Sequence, residues 1–254
     1  MWNLLCHILL SLPTFAVIGI GLTCIPILNS LLNRRSTVRW LQRKMASDPN
    51  NPRWPAALGF WYQCASTRAQ GAARLEAARL SLGYYERWLA LAPPSDLNQD
   101  YSRLQDLARV ALEADAPEKA RQYATQLLKI AAHHREKTFG NFVHRGHSIL
   151  GRLALRDGDV EAAKRHLIQA AQAPRSPQLD SYGPRMILAH ELLALGEQQI
   201  VLDYMETCRK FCATSGLGGR LESWTNEKRK AELTRWITDV SQGRTPDFGR
   251  SLGR

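Results

Sequence analysis

Guanidinium groups recur through the middle of the chain, at Arg109, Arg145, Arg152, Arg156 and Arg185, with Gln105, His144, Ser148 and His190 interleaved among them. Each guanidinium presents N–H donors in a planar fork that matches a carboxylate bidentately, which a lysine ammonium does not. His144, Ser148 and Arg152 recur every four residues, so on an α-helix they form one stripe. No acid interrupts the run from His144 to Arg156. That row suits the carboxylates of an acidic peptide or protein segment, bound by Gln105, Arg109, His144, Arg145, Ser148, Arg152 and His190. The competing reading is a solvated basic helix face, a common use of charge rows.

A second cluster is His133, His134, His144 and His147, of which the last two are three residues apart and would face one another's side of a helix. A zinc site needs three or four convergent ligands with supporting bonds behind them. Neither His-Glu-x-x-His nor Cys-x-x-Cys is present, so no metal and no cofactor is expected. A metal-dependent enzyme built on the His144/His147 region remains the remoter alternative. His190 and Glu191 are adjacent and point in different directions on a helix, which disfavours an acid–base pair. Gly19-Ile20-Gly21 lies in an apolar stretch and Gly216-Leu217-Gly218-Gly219 follows no strand, so neither is a phosphate or dinucleotide loop. Cys208 and Cys212 read as packed thiols. No catalytic residue is assigned.

Whatever these side chains do, helices must hold them. The 254 residues include 36 Leu and 30 Ala against 7 Val, a bias to straight-chain helix formers that argues against a β fold. From Trp54 onward, three segments fit one template of a Leu, a small residue, then apolar positions at helical spacing across two helices. The positions are Leu107, Ala108, Ala111, Ala120, Ala124 and Leu127; then Leu150, Gly151, Ala154, Ala163, Leu167 and Ala170; then Leu188, Ala189, Leu192, Val201, Met205 and Cys208. Between the helices of each pair stand Asp115-Ala116-Pro117, Asp157-Gly158-Asp159 and Leu195-Gly196-Glu197, each a turn followed by a helix start.

Leu150-Gly151, Ala163, Leu167, Ala170 and Pro174 resemble the tetratricopeptide repeat, with its Leu-Gly start, its Ala and bulky positions and its closing Pro. The resemblance implies an all-α solenoid of helix pairs whose first helices line a concave, partner-binding face. The starting Leu residues are 43 and then 38 positions apart, longer than the family's repeat of about 34. Connections near His133 to Thr138 and Ala173 to Ser181 would absorb the excess. Leu58 to Tyr62 and Tyr84 to Pro93 resemble a further pair. Leu233, Trp236, Ile237 and Val240 follow helical spacing and would cap the array. The stretch from Gly140 through Phe211, together with the tail Gly243 to Gly249, about a third of the chain, is similar to a group of bacterial repeat-containing proteins of unknown function, a resemblance that supplies no activity.

The chain opens on a different material. The first charge is Arg34, so the net charge of +11 belongs wholly to residues 34–254. Leu4 to Leu32 is apolar and, as a helix, would reach roughly 43 Å, enough for hydrocarbon about 30 Å thick. Residues 1–33 are therefore expected to form a transmembrane anchor, without the charged leader and short core of a cleaved signal. Arg34, Arg35, Arg39, Arg43 and Lys44 come directly after it, in a juxtamembrane segment 34–53 that would meet anionic headgroups and keep this side cytoplasmic. Helical repeats then span 54–216 and a capping helix with tail 217–254. With a bacterial source implied by the resemblance, the location is the inner membrane. The expected function is a membrane-anchored interaction scaffold; the alternative is an anionic-lipid or nucleic-acid binding module, with nucleic acid disfavoured because single-strand binders interleave aromatic and basic residues.

Overall fold

The computed structural model describes residues 34–92, 101–133, 139–212 and 220–252, and the expected membrane anchor lies outside them. Among the described residues no helix is long and apolar enough to cross a membrane. They form eleven α-helices and no strand: α1 (Arg34–Ser47), α2 (Arg53–Ser66), α3 (Gly71–Leu91), α4 (Tyr101–Glu113), α5 (Pro117–His133), α6 (Gly140–Arg156), α7 (Val160–Ala171), α8 (Pro177–Tyr182), α9 (Ile187–Leu193), α10 (Gln198–Cys208) and α11 (Arg220–Ser241). Helices pack in sequential antiparallel order, α2 with α3, α4 with α5, α6 with α7 and α9 with α10, and each pair leans on the next.

The packing arises from the spacing of small and apolar residues. Every template position is buried except Leu150, which is only partly covered. Close approach depends on the glycines at two of these contacts. A Cβ on Gly151 would collide with Leu188 Cδ2, and one on Gly140 would collide with the carbonyl oxygen of Pro174. One buried cluster runs from Ala56 and Trp88 through Leu107 and Leu127 to Leu153, and a second from Ala154 through Tyr204 and Phe211 to Phe248, so α6 serves both.

The three turns inside the pairs share one geometry. Asp115, Gly158 and Gly196 adopt left-handed φ of 58°, 80° and 83°. In each, the next residue's N–H reaches back to an equivalent template position: Ala116 to Ala111 O at 3.0 Å, Asp159 to Ala154 O at 2.9 Å, Glu197 to Leu192 O at 3.1 Å. These are the bonds of a left-handed C-cap, which satisfy carbonyls the helix end would leave bare. The next helices open on Pro117 at the first position, or on Asp159, whose carboxylate accepts from Ala162 N at 2.8 Å.

Two connections depart from the sequence expectation. The Ala173 to Ser181 stretch contains α8, begun by Ser176 accepting from Leu179 N at 3.2 Å and by Pro177. The region between Leu58–Tyr62 and Tyr84–Pro93 that fits no template extends the second helix back to Gly71. At the far end Leu233, Trp236 and Val240 of α11 are buried as spaced. The tail then folds back: Trp236 Nε1 donates to Asp247 O at 3.1 Å, Phe248 is buried against Trp236, and Ser251 O accepts from Met186 N at 2.9 Å.

Candidate functional site: an arginine-lined cleft

The helices that open the pairs, α4, α6 and α9, present one side to a common cleft of about 260 Å³. Arg109 and Glu113 come from α4, Arg145, Ser148, Ile149 and Arg152 from α6, and Ile187, His190 and Glu191 from α9. Arg74 at the start of α3, Arg185 from the extended segment before α9, and Leu252 of the tail complete the wall.

Of the residues singled out in the sequence, Arg109, Arg145, Ser148, Arg152 and His190 thus meet in one place. Gln105 and His144 lie beneath it. Gln105 is buried and accepts a hydrogen bond from Asn141 Nδ2. His144 is wholly buried, so the stripe facing the cleft is Arg145, Ser148, Ile149 and Arg152 rather than His144, Ser148 and Arg152. The reason is that α6 is packed by α4, α5, α7, α8 and α9, which leave it one narrow free edge. Arg156 also turns away, toward Asp115 Oδ1 at 3.3 Å and Leu112 O at 3.2 Å. On α1, Arg39, Arg43 and Lys44 are exposed; the side chains of Arg34 and Arg35 are outside the described set.

His144 acts as a strut under the cleft. Its Nδ1 is 3.1 Å from Ala170 O, which can only accept, so Nδ1 carries the proton and Nε2 accepts from Arg185 N at 2.9 Å. Burial, chiefly, lowers its pKa to about 4, opposed by the Ala170 carbonyl and assisted by the charges of Arg145 and Arg185. Tyr204 donates to Arg185 O at 2.9 Å, so the backbone that carries Arg185 is clamped from both sides. His147 turns the other way and meets His166, Nδ1 to Nδ1 at 3.1 Å. His144 thus has both ring nitrogens engaged beneath the cleft, while His147 has its Nδ1 engaged elsewhere, against His166. Among the described residues no three His, Cys, Asp or Glu side chains gather as a metal set.

Acids do stand among the guanidinium groups, contrary to the expectation from the run of α6. Glu191 holds Arg152 at two points, both carboxylate oxygens accepting from Nε at 2.9 and 3.0 Å with Nη2 at 2.8 Å from Oε1. Glu113 accepts from Arg109 at 2.7 Å, while its other oxygen is buried and has no donor among the described residues. Asp106 lies 3.8 Å from Arg109 and 3.9 Å from Arg145, and also accepts from Gln63 Nε2 at 3.0 Å. Gln63 in turn accepts from Tyr85 at 2.5 Å.

The charges are consequently uneven. Burial alone works against the charge on Arg109, but Glu113 and Asp106 outweigh it and raise its pKa. Arg145, three-quarters covered, is driven down to about 10 by burial and by repulsion from Arg185 and Arg109, against the pull of Asp106. Arg185 is lowered too, by burial first and then by Arg109. Among the described residues, the guanidinium groups of the cleft outnumber the carboxylates placed against them. The pair Arg109 and Glu113, four apart on a helix, is readable in the sequence; Glu191, Arg74 and Leu252 reach the cleft only through the packing.

No protein-family model matches the chain, and comparison with curated proteins and with solved structures finds no match.

Proposed function

We propose that this protein is a tetratricopeptide-like interaction scaffold that holds an acidic segment of a partner protein in the cleft between α4, α6 and α9. The observation that carries this reading is the convergence of Arg74, Arg109, Arg145, Arg152 and Arg185 on one concavity. Three independent helix pairs supply opening helices there, and the equivalent C-caps and buried template positions support reading those pairs as repeats. Apolar walls at Ile149, Ile187 and Leu252 suit a polypeptide better than an isolated ion. In the same proposal residues 1–33 anchor the chain in a bacterial inner membrane, with the exposed Arg39, Arg43 and Lys44 against anionic headgroups. The repeats then lie on the cytoplasmic side.

The test is an anisotropy titration of a labelled glutamate-rich peptide against the full chain in non-ionic detergent, beside the Arg109→Ala, Arg145→Ala double variant. A loss of tenfold or more in the variant supports the cleft; equal affinity for both proteins sinks it. A ligand held through one or two carboxylates responds weakly to salt, whereas capture of nucleic acid that vanishes at moderate salt would put the runner-up in its place. Protease added from the periplasmic side should leave residues 34–254 intact.

A further inference from the structure

We infer that the floor of the cleft is a seat for one phosphoryl monoester, the phosphorylated side chain of a partner polypeptide, held between Arg145 and Arg185 with Arg109 at its edge. This rests on the reading of the cleft as a partner-binding site and narrows it from acidic segments in general to a single compact dianion.

Some of the charges in the cleft are already answered. Five guanidinium groups line the cleft, and three carboxylates, Glu113, Glu191 and Asp106, lie on or against them, which leaves a surplus of two positive charges. One of the two lies on the floor, beside Arg145 and Arg185, and the other is Arg74 at the exposed rim. The charge of Arg152 is answered by the two oxygens of Glu191, and that of Arg109 by Glu113. Arg145 has only Asp106, at 3.9 Å and shared with Arg109 and Gln63. Arg185 has no carboxylate within 4.0 Å among the described residues, and Arg74, at the exposed rim, has none either.

Arg145 and Arg185 line this floor together, close enough that Arg185 disfavours the charge on Arg145. Arg145 stands on α6, in the stripe that lines the cleft, and the Arg185 backbone is pinned between His144 and Tyr204. Like charges kept together in a partly dry site are unfavourable unless a ligand answers them. A single carboxylate would answer half of the surplus. A phosphoryl monoester brings a charge of about −1.5 to −2 and three acceptor oxygens on one centre, enough for two forked guanidinium groups at once.

The flanks select further. Glu113 and Glu191 sit on the α4 and α9 sides, so a run of acidic residues through the cleft would meet carboxylates already in place. One dianion flanked by apolar side chains against Ile149, Ile187 and Leu252 meets none. The cavity, at about 260 Å³, exceeds what a free phosphate ion fills and leaves room for the residue that carries the group.

The experiment uses the full chain in non-ionic detergent, immobilised, with three degenerate peptide pools of about nine residues that differ only at the centre: phosphoserine, glutamate or serine. The phosphoserine pool should be retained at least tenfold better than the glutamate pool, with the serine pool at background. Millimolar inorganic phosphate should compete. Arg145→Gln and Arg185→Gln should each bring the phosphoserine-to-glutamate ratio close to one, while Arg87→Gln, at an exposed position of α3 outside the cleft, leaves it unchanged. Arg145→Lys, which keeps the charge but not the fork, should fall between. If a Gln variant does not fold, as judged by its circular dichroism, the ratio and the phosphate competition on the unsubstituted chain still decide.

Equal retention of the phosphoserine and glutamate pools, lost on the double variant Arg109→Ala, Arg145→Ala, overturns the phosphoryl seat and leaves the acidic-segment reading standing. Background retention of all three pools, with no binding of the glutamate-rich peptide, overturns both. Binding of phosphatidate vesicles that depends on Arg145 and Arg185, without retention of phosphoserine peptides, overturns the polypeptide source in favour of a lipid headgroup.

Discussion

Acid should destabilise this protein through His144 in a window set by burial. In the unfolded chain the imidazole takes a proton near its ordinary pKa of 6.5, whereas in the folded protein it does so only near 4. Between those values the unfolded state binds the extra proton, so stability present above pH 6.5 drains away as pH falls. The full difference corresponds to about 3 kcal/mol, and the part lost between pH 7 and pH 4.5 to about 2 kcal/mol. Burial is the chief cause, and protonation also places an N–H on Nε2, where the Arg185 amide already points its own hydrogen at 2.9 Å. Urea unfolding of the full chain in detergent, tracked by circular dichroism at both pH values, should be compared with His144→Gln, which offers one donor and one acceptor but does not titrate. The substituted protein is expected to start lower and lose about 2 kcal/mol less across the interval. His147, whose pKa burial and His166 also lower to about 4, contributes equally to both proteins and cancels. Identical losses in the two proteins would refute the reasoning.

Three further perturbations probe single contacts. Gly59→Ala should destabilise by about 1–3 kcal/mol, because the new Cβ would lie 2.7 Å from the Tyr85 ring, itself tied to Gln63; Gly83→Ala, with nothing within 4 Å, should instead stabilise by about 0.5–1 kcal/mol. Thermal melts of the two variants with shifts of the same sign would contradict the packing of α2 on α3. Asp159→Ala removes the carboxylate that caps α7 and should cost about 1 kcal/mol in a urea titration; no change in midpoint would mean that the cap is dispensable. Glu191→Gln releases Arg152 and should tighten binding of the glutamate-rich peptide several-fold while changing stability by less than about 1 kcal/mol, the pair being partly exposed. Weaker peptide binding would show that Glu191 positions Arg152 for the ligand.

Helix content, pair boundaries and core positions are legible in the sequence because they are local or periodic: Leu107 and Ala111 repeat on one face, and Asp157-Gly158-Asp159 announces its own C-cap and N-cap. α8 is not, because six residues with Leu179 as their single buried side chain carry no periodicity. The helical stripe correctly groups Ser148 with Arg152 but assigns His144 to the open side, since a period says which residues share a face and not how many neighbours cover the helix. Arg185 stands outside the opening helix of the third pair, on the non-helical segment before it. The answering charge on Arg152 comes from Glu191, 39 residues away, a distance over which no local pattern operates.

The composition of the cleft has a consequence for how such a chain can change over generations. In an array whose binding surface is repeated in every unit, copies are lost and gained with graded effects. Here Arg109 comes from α4, Arg145 from α6 and Arg185 from the segment that leads into α9, and Leu252 of the tail closes the wall beside them. Deleting any one of the helix pairs would remove a wall of the cleft in a single event, so the shape of the cleft is tied to the number and order of the pairs.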